Sequence, residues 1–220
     1  MRRVAFILPV LALLSGCIDI PDAGSKRRPV RQSTASFSPR PEARQCLSEL
    51  GMTQANFTPM ADRYLGGGCS NINTVRLAAL RSDQATLALS NLGPVTCPMA
   101  NTFAAWARFG ADRAARQILG SPLVRIETMG SYNCRNVAGT SRRSGHATAN
   151  AIDVSAFVLA DGRRVTITDG WRSRDEQERA FLRIVHTSAC KRFGMVLGPD
   201  YNTAHRDHFH LEEKAGSYCR

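Results

Sequence analysis

Histidines are scarce in this chain of 220 residues, and most of them lie in two short polar segments. Of the five histidines, His205, His208 and His210 fall close together near the C-terminus. A fourth, His146, lies in a segment that ends at Asp153. Imidazole nitrogens together with a carboxylate oxygen form a ligand set that suits zinc. The two segments therefore predict a zinc site, and the remaining chain must bring them together.

The spacing within each segment limits how its residues can meet at one ion. On a helix, His146 and Asp153 would lie about 10.5 Å apart along the axis, too far for two ligands of one metal. On one continuous strand, their odd separation would place them on opposite faces. The chain must therefore turn between them, with Asp153 on the following strand. His208 and His210 share a face if they lie on a strand, so Asp207 can join them only from a preceding loop.

The patterns around these segments predict a mixed fold. The expected elements are strand pieces within 75–89, a helix over 98–119, strands over 123–129, 151–157 and 165–168, and a helix from 173. Gly120 is expected to end the first helix, and Asp161-Gly162 to turn a hairpin. Ser173–Glu176 resembles a capping box that starts the last helix, near whose end His186 is interpreted as structural. The pattern indicates an α+β fold with an antiparallel sheet and flanking helices.

The N-terminal residues carry signals for export. Residues 1–17 join a basic start to an apolar stretch that is too short to cross a membrane as a helix. This segment ends in Leu14-Ser-Gly-Cys17, which resembles the bacterial lipobox and implies lipidation of Cys17, although a plain secretory signal is the alternative. Residues 18–45 are rich in Pro, Ser and basic residues and are expected to form a disordered linker. The folded domain is expected over residues 46–220.

The composition is that of a basic globular protein. Hydrophobic residues make up 43% of the chain, and the formal net charge is +11. Such a charge favours an anionic partner, such as nucleic acid, an acidic membrane surface or a cell-wall polymer, although solubility alone would also explain it. Seven cysteines leave six after Cys17, which predicts three disulfides in an exported chain. Proximity in the sequence suggests the pairs Cys46–Cys69, Cys97–Cys134 and Cys190–Cys219.

Both histidine segments resemble motifs of known zinc peptidases. Ser144-x-His146-x-x-Ala149-x-Ala151-x-Asp153 resembles the S-x-H-x-x-G-x-A-x-D motif of zinc D-Ala-D-Ala carboxypeptidases and dipeptidases. Asp207-His208-x-His210 resembles their second motif, and lysostaphin-type endopeptidases and hedgehog signalling domains share this zinc architecture. The whole span from Cys46 to Cys219 is similar to the bacterial extensin-like C-terminal domain. That similarity is carried by Gly130–Arg135, His146–Phe157 and Val196–His210.

The resemblance implies a role for each residue of the two motifs. His146, Asp153 and His210 would bind Zn²⁺ and leave a fourth position open, as a catalytic site requires. Asp207 would be the general base, which takes a proton from the water that attacks the amide carbonyl. His208 would donate a hydrogen bond to the oxyanion of the intermediate.

Further residues are assigned around this centre. Arg135 and Ser144 are the candidate substrate-binding residues, with Arg135 able to hold a peptide carboxylate. His205 is a candidate outer partner of the site. The sequence departs from the motif at two positions: Ala149 stands where the motif has Gly, and Asp207 stands where many relatives have Glu.

Together these expectations describe a zinc peptidase that acts on peptidoglycan stem peptides, built on a hedgehog/D-Ala-D-Ala peptidase-like zinc fold. It would be a lipid-anchored monomer of the bacterial cell envelope that faces the periplasm. Wall peptides and the membrane would be its partners, and nucleic acid would not. Two alternatives stay open: a lipoprotein that grips wall components without cleaving them, and a structural envelope protein whose metal stabilises the fold.

Overall fold

The computed structural model of the protein describes residues 39–220. The predicted export segment over 1–17, with its lipidation site Cys17, lies outside the described residues. So does most of the predicted linker. No helix within the described part of the chain has the length and apolar character needed to cross a bilayer.

The first helix, α1, spans Pro41–Met52 and corrects the predicted end of the linker. Residues 41–45, which the composition assigned to the linker, form its first turns. Pro41 lies at the first helical position and Glu42 in the first turn, where a fixed φ and a negative charge both favour helix formation. Leu50, on the buried side of α1, is fully inaccessible to solvent and anchors this segment to the core.

The predicted central helix is confirmed in extent. Helix α2 spans Cys97–Trp106 and continues through π-helical turns at Ala107–Asp112 and Ala115–Leu119. Gly120 then ends it with φ of 71°, a left-handed conformation that costs a residue with a β-carbon about 1–2 kcal/mol. Glycine is therefore favoured at position 120, because it can adopt this φ without the steric cost of a β-carbon.

Two further helices follow the predicted hairpin. Helix α3 is a single turn over Ile167–Gly170, and α4 spans Glu176–Cys190. The predicted capping box at Ser173 is wrong in its capping residue. Asp175 caps α4, since its carboxylate accepts hydrogen bonds from the backbone N–H groups of Gln177 and Glu178. Aspartate at this position also complements the positive end of the helix dipole.

Twelve strands complete the regular structure of the described residues. In chain order they are β1 Asn56–Pro59, β2 Arg63–Gly66, β3 Cys69–Asn71, β4 Thr74–Arg81, β5 Thr86–Ser90, β6 Val95–Thr96, β7 Leu123–Gly130, β8 Ala151–Leu159, β9 Arg164–Thr166, β10 Met195–Leu197, β11 Phe209–Glu212 and β12 Tyr218–Cys219. The main sheet has the order β1-β4-β5-β7-β8-β11-β10-β12, with β6 on β4 and β9 on β8. Strands β2 and β3 form a separate hairpin.

The main sheet is mostly antiparallel, as the α+β prediction expects. The pairs β5–β7 and β10–β12 are parallel, which the sequence did not indicate. Strand β8 lies at the centre, with β7 along one edge. Its other edge pairs first with β11 and then with β9. This central position makes β8 a rigid support for the residues that it carries.

One face of the sheet is covered by α2 and α4 and forms the core. Trp106 of α2 lies 6.1 Å from the ring of Phe157 on β8, which in turn lies 5.2 Å from Phe181 of α4, measured between ring centroids. The indole N–H of Trp106 donates to the backbone carbonyl of Val185, so the two helices are also joined by a hydrogen bond. All three aromatic side chains are fully buried. Their packing fixes one face of β8 and leaves its other face available for polar side chains.

The disulfides correct two of the three predicted pairs. Cys190–Cys219 is confirmed, but the other bridges join Cys46 to Cys97 and Cys69 to Cys134. The first fastens α1 to the start of α2, and the second fastens the β2–β3 hairpin to the segment after β7. Proximity along the chain failed as a guide because both bridges span loops of more than 50 residues, at 51 and 65.

Candidate metal centre

Adjacent strands bring two of the predicted ligands together. Strands β8 and β11 are antiparallel neighbours, and their register pairs Asp153 directly with His210. On both strands the flanking apolar side chains point into the core, so these two polar residues point to the opposite face. The Asp153 Oδ1 and His210 Nδ1 atoms are 2.9 Å apart.

His146 reaches the same place from a tight turn before β8. It lies on a 3₁₀ turn over Gly145–Thr148, and the hydroxyl of Ser144 caps this turn by accepting a hydrogen bond from the His146 N–H. Ala149 follows with φ of 55°, a left-handed conformation that favours Gly, which is the residue that the resembling motif has at this position. The turn predicted between His146 and Asp153 is therefore present, and Ala149 adopts its geometry. As a result, His146 Nε2 lies 3.1 Å from Asp153 Oδ2.

Three ligand atoms thus converge on one point. His146 Nε2 and His210 Nδ1 are 3.2 Å apart, and both lie within 3.1 Å of an Asp153 oxygen. A tetrahedral zinc ion with bonds of about 2.0–2.1 Å separates its ligand atoms by about 3.3 Å. The side chains of these residues are no more than 14% exposed. The donor set and its spacing fit a zinc ion.

Groups behind the histidines fix which nitrogen faces the centre. His146 Nδ1 donates to the backbone carbonyl of Ser131 at 3.2 Å, and His210 Nε2 donates to Glu212 Oε2 at 3.3 Å. With the outer nitrogens engaged in these hydrogen bonds, the inner nitrogens of His146 and His210 point to the centre, where they can bind a metal ion. Gly145 permits this arrangement, because a β-carbon there would lie 2.7 Å from the carboxylate carbon of Glu212.

Sequence reasoning missed both of these outer partners. The signal for Glu212 was available, because it follows His210 by two positions on a strand and so shares its face. Ser131 contributes through its backbone carbonyl, which has no signature in side-chain identity.

The charges of the cluster are strongly coupled. Burial alone would raise the pKa of Asp153, but hydrogen bonds with His146 and His210 lower this pKa overall. Burial alone would lower the pKa of His210, but Asp153 and Glu212 raise it to about 9. The cluster therefore favours positive charge at its centre, which a proton or a metal cation can supply.

Asp207 and His208 form a pair at the edge of this cluster. Residues 205–207 lie outside the strand, as Asp207 requires if it is to approach the site, and β11 begins at Phe209. His208 Nδ1 donates to Asp207 Oδ1 at 2.9 Å, while His208 Nε2 lies 3.7 Å from Asp153 Oδ1. The hydrogen bond from His208 lowers the pKa of Asp207, so its carboxylate is charged near neutral pH. Asp207 thus contacts the cluster through His208.

The other predicted residues occupy different positions. Ser144 is buried, and its hydroxyl accepts a hydrogen bond from the His146 N–H, so it shapes the turn. Arg135 is exposed on the loop after β7. His205 donates from Nδ1 to Asn202 Oδ1 at 2.7 Å, and its ring centroid lies 6.0 Å from that of His210. Burial lowers the pKa of His205 to about 4, helped by the charges of His208, His210 and Arg135. Arg135 therefore lies near enough to act on the site electrostatically.

His186 has surroundings of a different kind, in agreement with its interpretation as structural. Its ring packs 5.4 Å from Trp171 and 5.1 Å from Phe209. Its Nε2 donates to the backbone carbonyl of Arg220 at 3.2 Å, and its Nδ1 faces Cys190 Sγ at 3.9 Å. Burial lowers the pKa of His186, which favours the neutral ring.

Comparison with known families places this chain in one of them. Residues 44–220 match the family described as Extensin-like protein C-terminus. The chain belongs to this family. The extensin-like region covers α1 from its first turn onward and contains every residue of the cluster. No curated protein and no solved structure matches the chain.

Proposed function

We propose that this extensin-like protein is a zinc-dependent peptidase that acts on peptidoglycan stem peptides in the bacterial envelope. The observation that carries the proposal is the convergence of His146 Nε2, His210 Nδ1 and the Asp153 carboxylate within about hydrogen-bond distance of one another. The motif order also supports a fold related to zinc D-Ala-D-Ala carboxypeptidases. A histidine on a turn precedes an aspartate on the next strand, and a last histidine lies opposite that aspartate.

Zinc bound by these three residues would supply a Lewis acid that polarises the amide carbonyl and lowers the pKa of water. The protein contributes the geometry around it. The Ser131 carbonyl and Glu212 keep the outer imidazole nitrogens protonated, so the inner nitrogens stay available as ligands. The rigid centre of the sheet holds Asp153 and His210 in register, so little reorganisation is needed when a substrate arrives.

Asp207 and His208 are proposed as the proton-transfer pair. Asp207 holds the proton on His208 Nδ1, which leaves Nε2 facing the cluster. From there Nε2 can take a proton from the attacking water, or donate a hydrogen bond once it is protonated. The resemblance to peptidases assigns the base to Asp207 directly. The geometry supports a shared role in which Asp207 acts through His208.

Substrate, compartment and anchor complete the proposal. Arg135 is exposed beside the site and is suited to bind the carboxylate of a stem peptide. The three disulfides suit an oxidising compartment such as the periplasm. Lipidation at Cys17 would hold the protein, as a monomer, at the membrane and near the wall. The net charge of +11 favours anionic wall polymers as its surroundings.

A second candidate is a zinc lipoprotein that binds wall peptides without cleaving them. The observation in its favour is that Asp207 is already hydrogen-bonded to His208 and does not contact the ligand cluster directly. A pure binder needs the three ligands and no base.

One experiment separates the two candidates. The protein is purified with its disulfides intact, its zinc content is measured, and it is incubated with peptidoglycan fragments that are then analysed by mass spectrometry. We expect about one zinc per chain and a new fragment. Asp207→Asn should keep the zinc and lower the cleavage rate by about 10²–10⁴-fold. The matched control is Asp161→Asn, a carboxylate in the β8–β9 turn that is paired with Arg163. Zinc without cleavage favours the binding protein, and failure to bind zinc rejects the metal centre.

A further inference from the structure

A groove near the proposed metal centre is lined by charged side chains that have no part in the proposed catalysis. It has a volume of about 550 Å³ and lies between the end of α3 and the loop that leads to β11. Trp171 and Arg172 form one wall, and Asp200, Asn202 and Arg206 form the other. It is therefore open to solvent between two walls that both carry arginine.

The groove is continuous with the surroundings of the metal centre. Asn202 on its wall accepts the hydrogen bond from His205, whose ring packs against that of His208 at 5.1 Å. Thr168 lines this groove and also a smaller one of about 380 Å³, to which Asp207 and Ser155 contribute. Ser155 follows Asp153 by two positions on β8 and shares its face. A chain-like ligand could therefore extend from the cluster, past Asp207 and Thr168, into the larger groove.

The charge of the larger groove is positive because its carboxylate is already paired. Asp200 accepts hydrogen bonds from the Trp171 indole N–H at 2.9 Å and from Arg183 at 2.6 Å. The hydrogen bond from Trp171 is the main reason that the pKa of Asp200 is lowered. Arg172 lies 3.7 Å from Asp200 and its side chain is 78% exposed. Arg206 is exposed and donates to the Thr203 carbonyl of its own loop at 3.3 Å. Both guanidinium groups keep donors for a ligand.

The wall of the groove that contains Trp171 is rigid. Trp171 is only 3% exposed, and the guanidinium of Arg183 stacks over its ring at 3.7 Å. The other contacts of the ring are Phe209, at 5.5 Å between centroids, and His186. Phe209 is the first residue of β11, and His210 is the next residue on that strand. The groove and the metal centre are thus fixed to the same strand, so a ligand held in one has a defined position relative to the other.

We infer that this groove binds an acidic side branch of the substrate, with a carboxylate held between Arg172 and Arg206. Arginine suits this task because its planar fork can donate two parallel hydrogen bonds to a carboxylate. The inference rests on the proposed function, since stem peptides are the carboxylate-bearing chains whose scissile bond would lie over the cluster. It adds a specificity site that is formed by Arg172 and Arg206 and is distinct from Arg135.

The test compares two probes on the full-length protein. One is a synthetic stem pentapeptide with free side carboxylates, and the other is the same peptide with those carboxylates amidated. Both keep a free C-terminal carboxylate, so any contribution of Arg135 is the same for each. Binding is followed by tryptophan fluorescence, because Trp171 lines the groove whereas Trp106, the other tryptophan, is fully buried. Cleavage of both peptides is measured in parallel.

We expect the free carboxylate form to bind roughly tenfold more tightly, a difference of about 1.4 kcal/mol. Arg172→Gln and Arg206→Gln should each reduce this preference by about threefold or more, and the preference should weaken at high salt. The control is Arg44→Gln, which removes the same charge from an exposed position on α1. It should leave the preference unchanged.

Two results would overturn the inference: equal affinity for both peptides, or a preference that survives in the Arg172 and Arg206 variants. If cleavage is observed with either of these results, the peptidase proposal stands and the groove assignment fails. If binding depends on the two arginines but no fragment is cleaved, the groove assignment stands and the peptidase proposal fails. Absence of both binding and cleavage rejects both.

Discussion

Within residues 39–220, two groups bring a histidine close to two other potential metal ligands, and they differ in what those ligands can do. One is His146, Asp153 and His210, and the other is His186 with the half-cystines Cys190 and Cys219. In both, all three ligand atoms lie within 4.8 Å of one another. Distance alone therefore does not separate a metal site from a structural contact.

The two groups differ in which of their atoms can donate an electron pair to a metal ion. In the first group, the Ser131 carbonyl and the Glu212 carboxylate accept hydrogen bonds from the outer nitrogens of the two histidines. The inner nitrogens of both histidines face the Asp153 carboxylate. In the second, the sulfur atoms are joined in a disulfide, so neither is the thiolate that binds a metal. The histidine of that group packs between aromatic rings. The first group is therefore suited to bind a cation, as proposed, whereas the disulfide of the second fastens the C-terminal strand to α4.

The largest expected effect is the loss of zinc when His146 is replaced, whereas replacement of His186 should leave the zinc bound. His146→Ala should abolish zinc binding and hydrolysis, because two remaining ligands cannot hold the ion at ordinary concentrations. His186→Ala should retain about one zinc per chain, although it leaves a cavity beside Trp171. Metal content of the purified variants, measured by atomic spectroscopy, tests this contrast. Loss of zinc from the His186 variant would contradict the assignment of His186 to a structural role.

The second contrast concerns stability. Replacing Cys190 and Cys219 together by Ser opens a loop with a sequence separation of 29 and should cost about 3.6 kcal/mol of unfolding free energy. Zinc content should not change. Urea unfolding at fixed protein concentration measures the loss. Removing the Cys69–Cys134 disulfide, which has a longer separation of 65, should cost about 4 kcal/mol of unfolding free energy. The two losses together show how the cost depends on loop length. A smaller cost for the longer loop would contradict this loop-entropy explanation.

The two histidine environments also predict opposite responses to pH in protein treated with a chelator. His210 has a raised pKa of about 9, so its stabilising contribution is complete below about pH 6.5 and is lost as pH rises through 9. His186 has a lowered pKa, so its folded state loses stability as pH falls below about 6.5.

Urea unfolding between pH 5 and 10 measures both responses. The alkaline loss should be on the order of 2 kcal/mol and should be absent in His210→Gln. The acidic loss should be reduced in His186→Gln, which keeps the His210 response. Identical pH profiles for the two variants would show that the electrostatic comparison is wrong.

The smallest expected effect is a change in zinc affinity when Glu212, the hydrogen-bond partner of His210, is replaced. Glu212→Gln keeps a hydrogen-bond acceptor for His210 but removes its charge, and should weaken zinc affinity by about 10–100-fold. Competition with a fluorescent zinc indicator measures this change. Glu127→Gln is the matched control, because the Glu127 carboxylate is paired with Arg164 at 2.7 Å on the same sheet. A similar affinity for wild type and the Glu212 variant would remove Glu212 from the metal centre.

The turn between His146 and Asp153 and the loop before β11 were predictable because their constraints are local. The odd spacing of His146 and Asp153 requires a turn, and the even spacing of His208 and His210 places them on one face of a strand. The structure has the turn at Gly145–Thr148 and the loop before Phe209. The end of the long helix at Gly120 follows from the same kind of local stereochemistry.

Features that depend on distant or backbone groups were not predictable in the same way. The carbonyl of Ser131 leaves no mark in the sequence, and the Asp153–His210 register joins strands separated by 57 residues. Helix α1 was obscured by the prolines around it, although Pro41 itself favours a helix start. Both Ser173 and Asp175 are acceptable caps, and only the path of the chain before α4 selects Asp175.

The interleaved bridges have a consequence for how the protein is made. Along the chain the cysteines appear in the order Cys46, Cys69, Cys97 and Cys134, and the bridges join the first to the third and the second to the fourth. A chain that enters an oxidising compartment N-terminus first exposes Cys46 and Cys69 together before their partners arrive. Any bond formed between them must be broken and exchanged before maturation is complete. Production of active protein should therefore depend on a thiol–disulfide isomerase as well as an oxidant.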